Sequence, residues 1–379
     1  IVAYGATVRL LPEVSVLMLR NRNVRNGMYE QTVMGEGANE NIAILGGTWE
    51  ESRHRRLGYG KSGMFDEGRS MYGVSTCMLF SNVKTLLLKD LTFRHTAGFS
   101  VQIGNARDIV IQDIVFDDCF ADGIHVNGNT ENIAVRNLSG HVGDDLIALN
   151  MYDWLRSSIN YGPAKNVFCE DIHSAPDSKA KAMRLQPGIF RYRDGTLVDC
   201  SLENMYFHRL SGIYEYKLYF QSPPYVPGEK PEGEGAGSAD NLFFEDVEII
   251  SNRERYPLDN CEETGYFGMF LMNSLIGYVS LENIRYIKPE GDSPRNFLVA
   301  IGPMSWRRMR DGANTEVFDP YISGYVDTLE MKDIFINGEH ITDVDKIVKI
   351  IEFNDVNKDG FSSGKGTVNN MFLNGEKVK

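Results

Sequence analysis

The sequence predicts an all-β protein wound as a parallel β-helix of about ten coils with long inserted loops. Three observations predict it. One phrase recurs along the chain: an apolar residue, a polar one, Asp or Asn, then an apolar residue again. Each copy alternates with period two and is rich in Val, Ile, Leu and Phe, which excludes helical repeats. The first copies are only 23 and 24 residues apart, counted from Asp90 to Asp113 to Asn137. That length holds three short strands and three turns, whereas a propeller blade needs roughly 40 residues.

In chain order the copies begin with LLLKDLTF (86–93), IVIQDIVF (109–116), IAVRNLSG (133–140) and VFCEDIHS (167–174). CSLENMYF (200–207), LFFEDVEI (242–249), VSLENIRY (279–286), TLEMKDIFI (328–336) and TVNNMFLNG (367–375) follow. The polar centre falls at Asp90, Asp113, Asn137, Asp171, Asn204, Asp246, Asn283, Asp333 and Asn370, and is expected to mark a turn. Later intervals lengthen, so loop excursions are expected near 51–73, 221–240 and 302–325. The repeat resumes after each one, which predicts a single domain over 1–379. Ile1 opens inside an apolar run, so the N-terminal coil or cap can be incomplete, and a leader can be missing. Compartment and oligomeric state stay open.

Aligning inward apolar pairs sets the register of neighbouring coils. Val101 and Ile103, Ile124 and Val126, Ile147 and Leu149, and Met183 and Leu185 should face the core. Phe99, Asp122, Asp145 and Lys181 then form one column. Gln102, His125, Ala148 and Arg184 form a second, and Gly104, Asn127, Asn150 and Gln186 a third. Asp144 lies at the turn beside the first column. Asp122, Asp144 and Asp145 therefore converge, flanked by His125 on one side and by Lys181 and Arg184 on the other.

Three close carboxylates cannot all ionise cheaply, so one is expected to hold a proton and act as a general acid. Another, kept charged by Arg184 or Lys181, can accept a proton from water. Together these steps hydrolyse a glycosidic bond with inversion. Ladder spacing puts Asp122 and Asp145 about 4.8 Å apart, so Asp144 is expected to supply the wider separation of an inverting pair. Asn127, Asn150 and Gln186 are candidate substrate contacts, as are His125, Lys181 and Arg184. Tyr152 and Trp154 follow the Asp strand directly and could stack on a sugar ring. The run ESRHRRLGYGKSG (51–63) carries Arg53, Arg55 and Arg56, which could close over the site and pair with an anionic substrate.

At these residues the chain resembles glycoside hydrolase family 28, the polygalacturonase and rhamnogalacturonase group on the pectin-lyase-like right-handed β-helix. The phrase D-G-I-H-V with Asp122, the G-D-D segment with Asp144 and Asp145, and the arginine of RLQ at 184–186 carry the resemblance. NIAILGGTWE (41–50) and NVKTLLLKDLTFRHT (82–96) look like the family's early coils. The resemblance implies Asp144 as general acid, Asp122 and Asp145 holding the water, Arg184 on the substrate, and a pectin-like polysaccharide. The family's G-H-G segment has no counterpart, since 162–176 offers only His173, and its R-I-K lysine is Gln186 here.

Composition narrows the remaining classes. Asp and Glu number 52 against 39 Lys and Arg, a formal net charge of -13, which disfavours nucleic acid as a partner. No apolar stretch is long enough to span a membrane as a helix. The five cysteines form no C-x-x-C pair and are expected to be buried thiols. The seven histidines show no metal-ligand spacing, and no phosphate-cradling glycine motif occurs, so no cofactor and no metal are expected. A carbohydrate substrate is the expected partner. Two alternatives stay open: a polysaccharide lyase on the same coil, and a non-catalytic glycan-binding or structural β-helix.

Overall fold

The structure, a computed structural model, describes residues 1–12, 14, 17–24, 37–51, 76–153, 158–175, 178, 181–191, 195–213, 218–220, 237–251, 267–292, 294–302, 305–310, 313–318, 324–353 and 364–379. Among them the parallel all-β expectation holds. A leading ladder starts with Leu19–Arg20 and the first halves of Thr76–Arg94 and Phe99–Asp117. It continues through Ile124–Val126, Asp145–Asn150, Lys181–Gln186, Leu218–Phe220, Phe267–Met272, Asn296–Ile301 and Val348–Ile350. A second ladder takes Asn39–Leu45 and the second halves of the two long strands. Thr130–Gly140, Ala164–Ser174, Leu202–Ile213, Ser238–Ile250, Leu275–Ile287, Tyr325–Ile336 and Thr367–Leu373 extend it. Each ladder advances one rung per sequence repeat. No helix among the described residues is long and apolar enough to cross a membrane.

Alternation explains the core. Leu86, Ile109, Ile133, Val167, Met205, Leu242, Val279, Leu329 and Met371 are mutual register partners along the second ladder, and all are buried. They belong to one apolar cluster reaching from Ile44 to Leu373. Cys119, Cys169 and Cys200 are buried thiols within it, and burial raises the pKa of each. Of the expected excursions, 302–325 contains an antiparallel hairpin of Ser305–Arg310 with Ala313–Phe318. Nearly all of 51–73 and most of 221–240 lie outside the described residues, and the ladder has already resumed at Ser238.

Eight of the nine recurring polar residues mark turns, in two columns rather than one, and Asn370 lies within a strand. Asp90, Asp113, Asn137, Asp171, Asp246, Asn283 and Asp333 share the first column, each with φ between 50° and 58°. In the coil of Leu202–Ile213 that place belongs to Arg209 (φ 54°), which binds the Asp171 carboxylate through Nε (2.6 Å) and Nη2 (2.9 Å). Asn204 sits five residues earlier, in a second column with Asp108, Asn132, Asn166 and Asn241. Asn370 pairs with Thr328, also outside the first column. Where a corner takes a left-handed residue, Asn or Asp tolerates that conformation best after glycine. A letter pattern cannot tell one corner from the other.

In the second column each side-chain amide donates to the coil before it: Asn132 to Asp108 (2.9 Å), Asn166 to Asn132 (3.1 Å), Asn204 to Asn166 (3.0 Å) and Asn241 to Asn204 (3.0 Å). Asn166→Ala removes two of these bonds and puts a Cβ without compensation at φ 57°. It should cost about 1–3 kcal/mol in urea unfolding. Asn166→Gly should recover the conformational part, and equal losses for both variants would place the whole effect in the hydrogen bonds.

Candidate active site

The register derived from apolar pairs is the one observed around the three aspartates. Ile124 pairs with Ile147 and with Val101, Met183 with Ile147, and Leu185 with Leu149. Lys181 therefore faces Asp145 across the ladder, Arg184 faces Ala148, and Gln186 faces Asn150.

Gly143 explains why the aspartate pair follows a glycine. A Cβ there would lie 1.8 Å from the Phe120 carbonyl oxygen of the preceding coil, so the two turns touch backbone to backbone. The next amide locks the junction, because Asp145 N–H donates to Asp122 Oδ1 at 3.2 Å. Asp145 is thereby carried into the ladder and fully buried, while the Asp144 side chain stays 36% exposed at the bend. Gly143→Ala should displace this turn and separate the carboxylates. We expect a loss of activity well beyond any loss of stability, read by comparing turnover with the thermal midpoint. A fully active variant would show that the turn tolerates the shift.

One oxygen from each of Asp122, Asp144 and Asp145 lies within 4.8 Å of the others. The wider separation expected of Asp144 is not seen between these nearest oxygens. Arg184 supplies the counter-charge, with Nε 3.1 Å from Asp145 Oδ2 and Nη2 3.4 Å from Asp144 Oδ1. This guanidinium engages the protein's own carboxylates, so its expected role on the substrate gives way to a structural one first. Three oxygens this close could also ligate a cation, a place Arg184 already serves with positive charge. A second such set, His208, Glu245 and Asp246, lies on the second ladder, where the Arg209 Nη1 is 2.9 Å from His208 Nδ1. A cation would be repelled there as well.

His125 differs most from expectation. It is completely buried, with Nδ1 2.6 Å from Asp122 Oδ2 and Nε2 3.2 Å from Asp153 Oδ2, and the Phe99 ring stacks on it at 3.9 Å. Burial pushes the imidazole pKa down, but the hydrogen bonds and charges of Asp122 and Asp153 outweigh it and raise the value to about 9. At neutral pH both ring nitrogens therefore donate.

The cause lies between Asp145–Asn150 and Ala164–Ser174, where residues 151–153 and 158–163, the described part of an inserted segment, lie against earlier coils. Ile159 packs on Leu79 and would touch a Cβ at Gly104 at 2.7 Å, while Ser81 Oγ lies 3.2 Å from Asn160 Oδ1. Under this segment Gln102, His125, Asn127 and Asn150 are buried. Asn127 donates to the Asn150 carbonyl (3.0 Å) and accepts from Gln102 (2.9 Å) and the Ile159 amide (3.1 Å). Asn150 donates to Asp153 (3.3 Å), and Gln186, also buried, donates to the Tyr152 carbonyl (2.7 Å). His125, Asn127, Asn150 and Gln186, expected as substrate contacts, are buried here and bonded to residues of this segment or its neighbours. Tyr152 packs edge-on to Tyr161 (5.9 Å) and Phe190 (6.1 Å) rather than standing free. His173 bonds Ser211 Oγ (2.7 Å) on the second ladder.

Trp154 and the arginines at 53, 55 and 56 lie outside the described residues, as does the side chain of Lys181. Sequence reasoning missed Asp153. Its one trace was the lengthened interval from Asn137 to Asp171, which announces an insertion but not its direction.

No family model matches the chain, and no curated protein matches its sequence. Among solved structures it is similar to the catalytic domain of a GH87 alpha-1,3-glucanase in complex with nigerose. The identity is 11% and the TM-score 0.40, over 96% of this chain and 60% of that one. An Asp-to-Ala variant of that domain with nigerose gives 11% and 0.38, over 97% and 60%. The chain thus spans about 60% of the structures it matches. At these scores the likeness bears on neither substrate nor mechanism. The resemblance to family 28 is corrected: no model of any family matches, and the similar structures come from a different glycoside hydrolase family.

Proposed function

We propose that the protein hydrolyses a glycosidic bond in an oligosaccharide or polysaccharide, on one β-helix domain. Its coils are assigned the right hand that parallel crossovers take in about 98% of cases. The carrying observation is the trio Asp122, Asp144 and Asp145, with oxygens within 4.8 Å, two members buried and one at the surface. Arg184 makes its shorter contact with Asp145 and so favours that carboxylate as the charged one. Asp144, longer in contact and more exposed, is left as proton donor.

In the reaction Asp144 gives its proton to the leaving oxygen as the bond from the anomeric carbon breaks. Water adds to that carbon from the opposite face, and its proton passes to Asp145, which Asp122 supports through the backbone amide. Direct attack inverts the anomeric centre; the trio's oxygens, within 4.8 Å of one another, are closer than the roughly 6.5–9.5 Å usual for an inverting pair, so the anomer of the first product decides this step.

Among the described groups, Asp122, Asp144, Asp145 and Asp153 outnumber Arg184 and the His125 imidazolium. Assigning an acidic or mixed-charge glycan therefore depends on Lys181 and the basic run at 53–56 for compensation. The test is a panel of defined acidic and neutral oligosaccharides, read by mass spectrometry for cleavage with gain of water and by proton NMR for the first anomer. Gain of water with an inverted anomer is the expected result. An unsaturated uronate would make the protein a lyase, retention would require a covalent carboxylate ester, and binding without cleavage would leave a glycan-binding coil.

A further inference from the structure

We propose that Asp153 is a positioning residue that acts through His125 to hold Asp122 as an oriented, charged carboxylate at the base side of the trio. The inference deepens the hydrolysis reading and depends on it.

The geometry is a buried chain of three groups. Asp153 Oδ2 meets His125 Nε2 at 3.2 Å, and His125 Nδ1 meets Asp122 Oδ2 at 2.6 Å. The other Asp122 oxygen accepts the Asp145 amide at 3.2 Å. Both Asp122 oxygens thus face donors, which suits an accepting carboxylate and leaves neither oxygen placed to donate. The imidazole has no freedom to turn, since Phe99 stacks on its face at 3.9 Å.

Asp153 is fixed in its turn. Its amide donates to Ser158 Oγ (3.2 Å), and Asn150 Nδ2 donates to the same Oδ2 (3.3 Å). Asn150 ends the strand that Asp145 begins. The chain of contacts therefore returns to the catalytic strand, so a shift of the inserted segment reaches the trio from two directions.

The charged groups shown facing His125 are Asp122, from the turn before its own strand, and Asp153, from the inserted segment; Phe99 and Asn127 supply neutral contacts. An imidazolium between two carboxylates leaves one negative charge on the group of three. Removing the Asp153 charge weakens the protonated ring, and with it the donor on Asp122.

The test uses the full chain with Asp153→Asn, Asp153→Glu and Asp122→Asn. The His125 midpoint, read by NMR of ¹⁵N-histidine-labelled protein, should fall by roughly one pH unit or more in Asp153→Asn and recover in part in Asp153→Glu. On whichever glycan the wild-type protein cleaves, kcat should fall by up to about 10²-fold with KM little changed. The alkaline limb of the pH profile should move down with the midpoint. If Asp153→Asn does not fold, Asn150→Ala removes the amide that donates to the same Asp153 oxygen and should shift the midpoint less. A midpoint indifferent to Asp153, or one that moves while kcat and pH profile stay, overturns the proposal with hydrolysis intact. A wild-type protein that cleaves no glycan overturns the hydrolysis reading and the catalytic half of this one, while the NMR arm still decides whether Asp153 controls His125.

Discussion

Asp144→Asn is expected to lower turnover by roughly 10²–10⁴-fold, because it removes the transferable proton while keeping the side chain's size. Folding should be unaffected, since the side chain is partly exposed and its contact with Arg184 is long, 3.4 Å. Substrates with an activated leaving group need little protonation and should lose far less. Equal losses on natural and activated substrates would take the acid role away from Asp144. Asp145→Asn should behave differently. It removes the buried partner of Arg184 Nε, so stability and activity should fall together.

His125→Ala should be strongly destabilising. It leaves Asp122 and Asp153, 1% and 3% exposed, facing a cavity without the cation that joins them. Breaking a buried pair in this way costs about 3–5 kcal/mol, which equilibrium urea unfolding would register. The sign of the pH dependence follows from the raised pKa. A histidine lifted from 6.5 to about 9 on folding contributes its full stabilisation below pH 6.5 and loses it as pH rises through 9. Wild-type unfolding free energy should therefore decline between those values, and His125→Ala should lack that decline. A decline of the same size in the variant would assign the titration to another group.

Much of the coil was legible because a parallel stack repeats its demands at fixed intervals. Alternating apolar residues such as Ile109 and Ile111, or Ile133 and Val135, can only be buried on one face, and that face sets the register. From it the convergence of Asp122, Asp144 and Asp145, with Lys181 and Arg184 on one flank, could be read from alternation alone; that Arg184 binds Asp144 and Asp145 rather than a substrate could not. The corner residues were legible in kind but not in place. Asn204 and Asp171 satisfy the same conformational requirement at different corners, and only hydrogen-bonded pairing separates them.

The sequence by itself determined the all-β class, the parallel ladders and the three carboxylates at one corner, since each depends on local alternation and on spacing within one coil. Tertiary structure alone decided what covers that corner. Residues 151–153 and 158–163 could have extended into solvent; instead they lie against three earlier coils, cover His125 and Asn127, and bring in Asp153. Their course is set by contacts between residues far apart in the chain, such as Ile159 with Asn127, 32 positions, and Asn160 with Ser81, 79 positions. No periodicity encodes contacts of that kind, because an inserted loop answers to the surface it lands on and not to the repeat it interrupts.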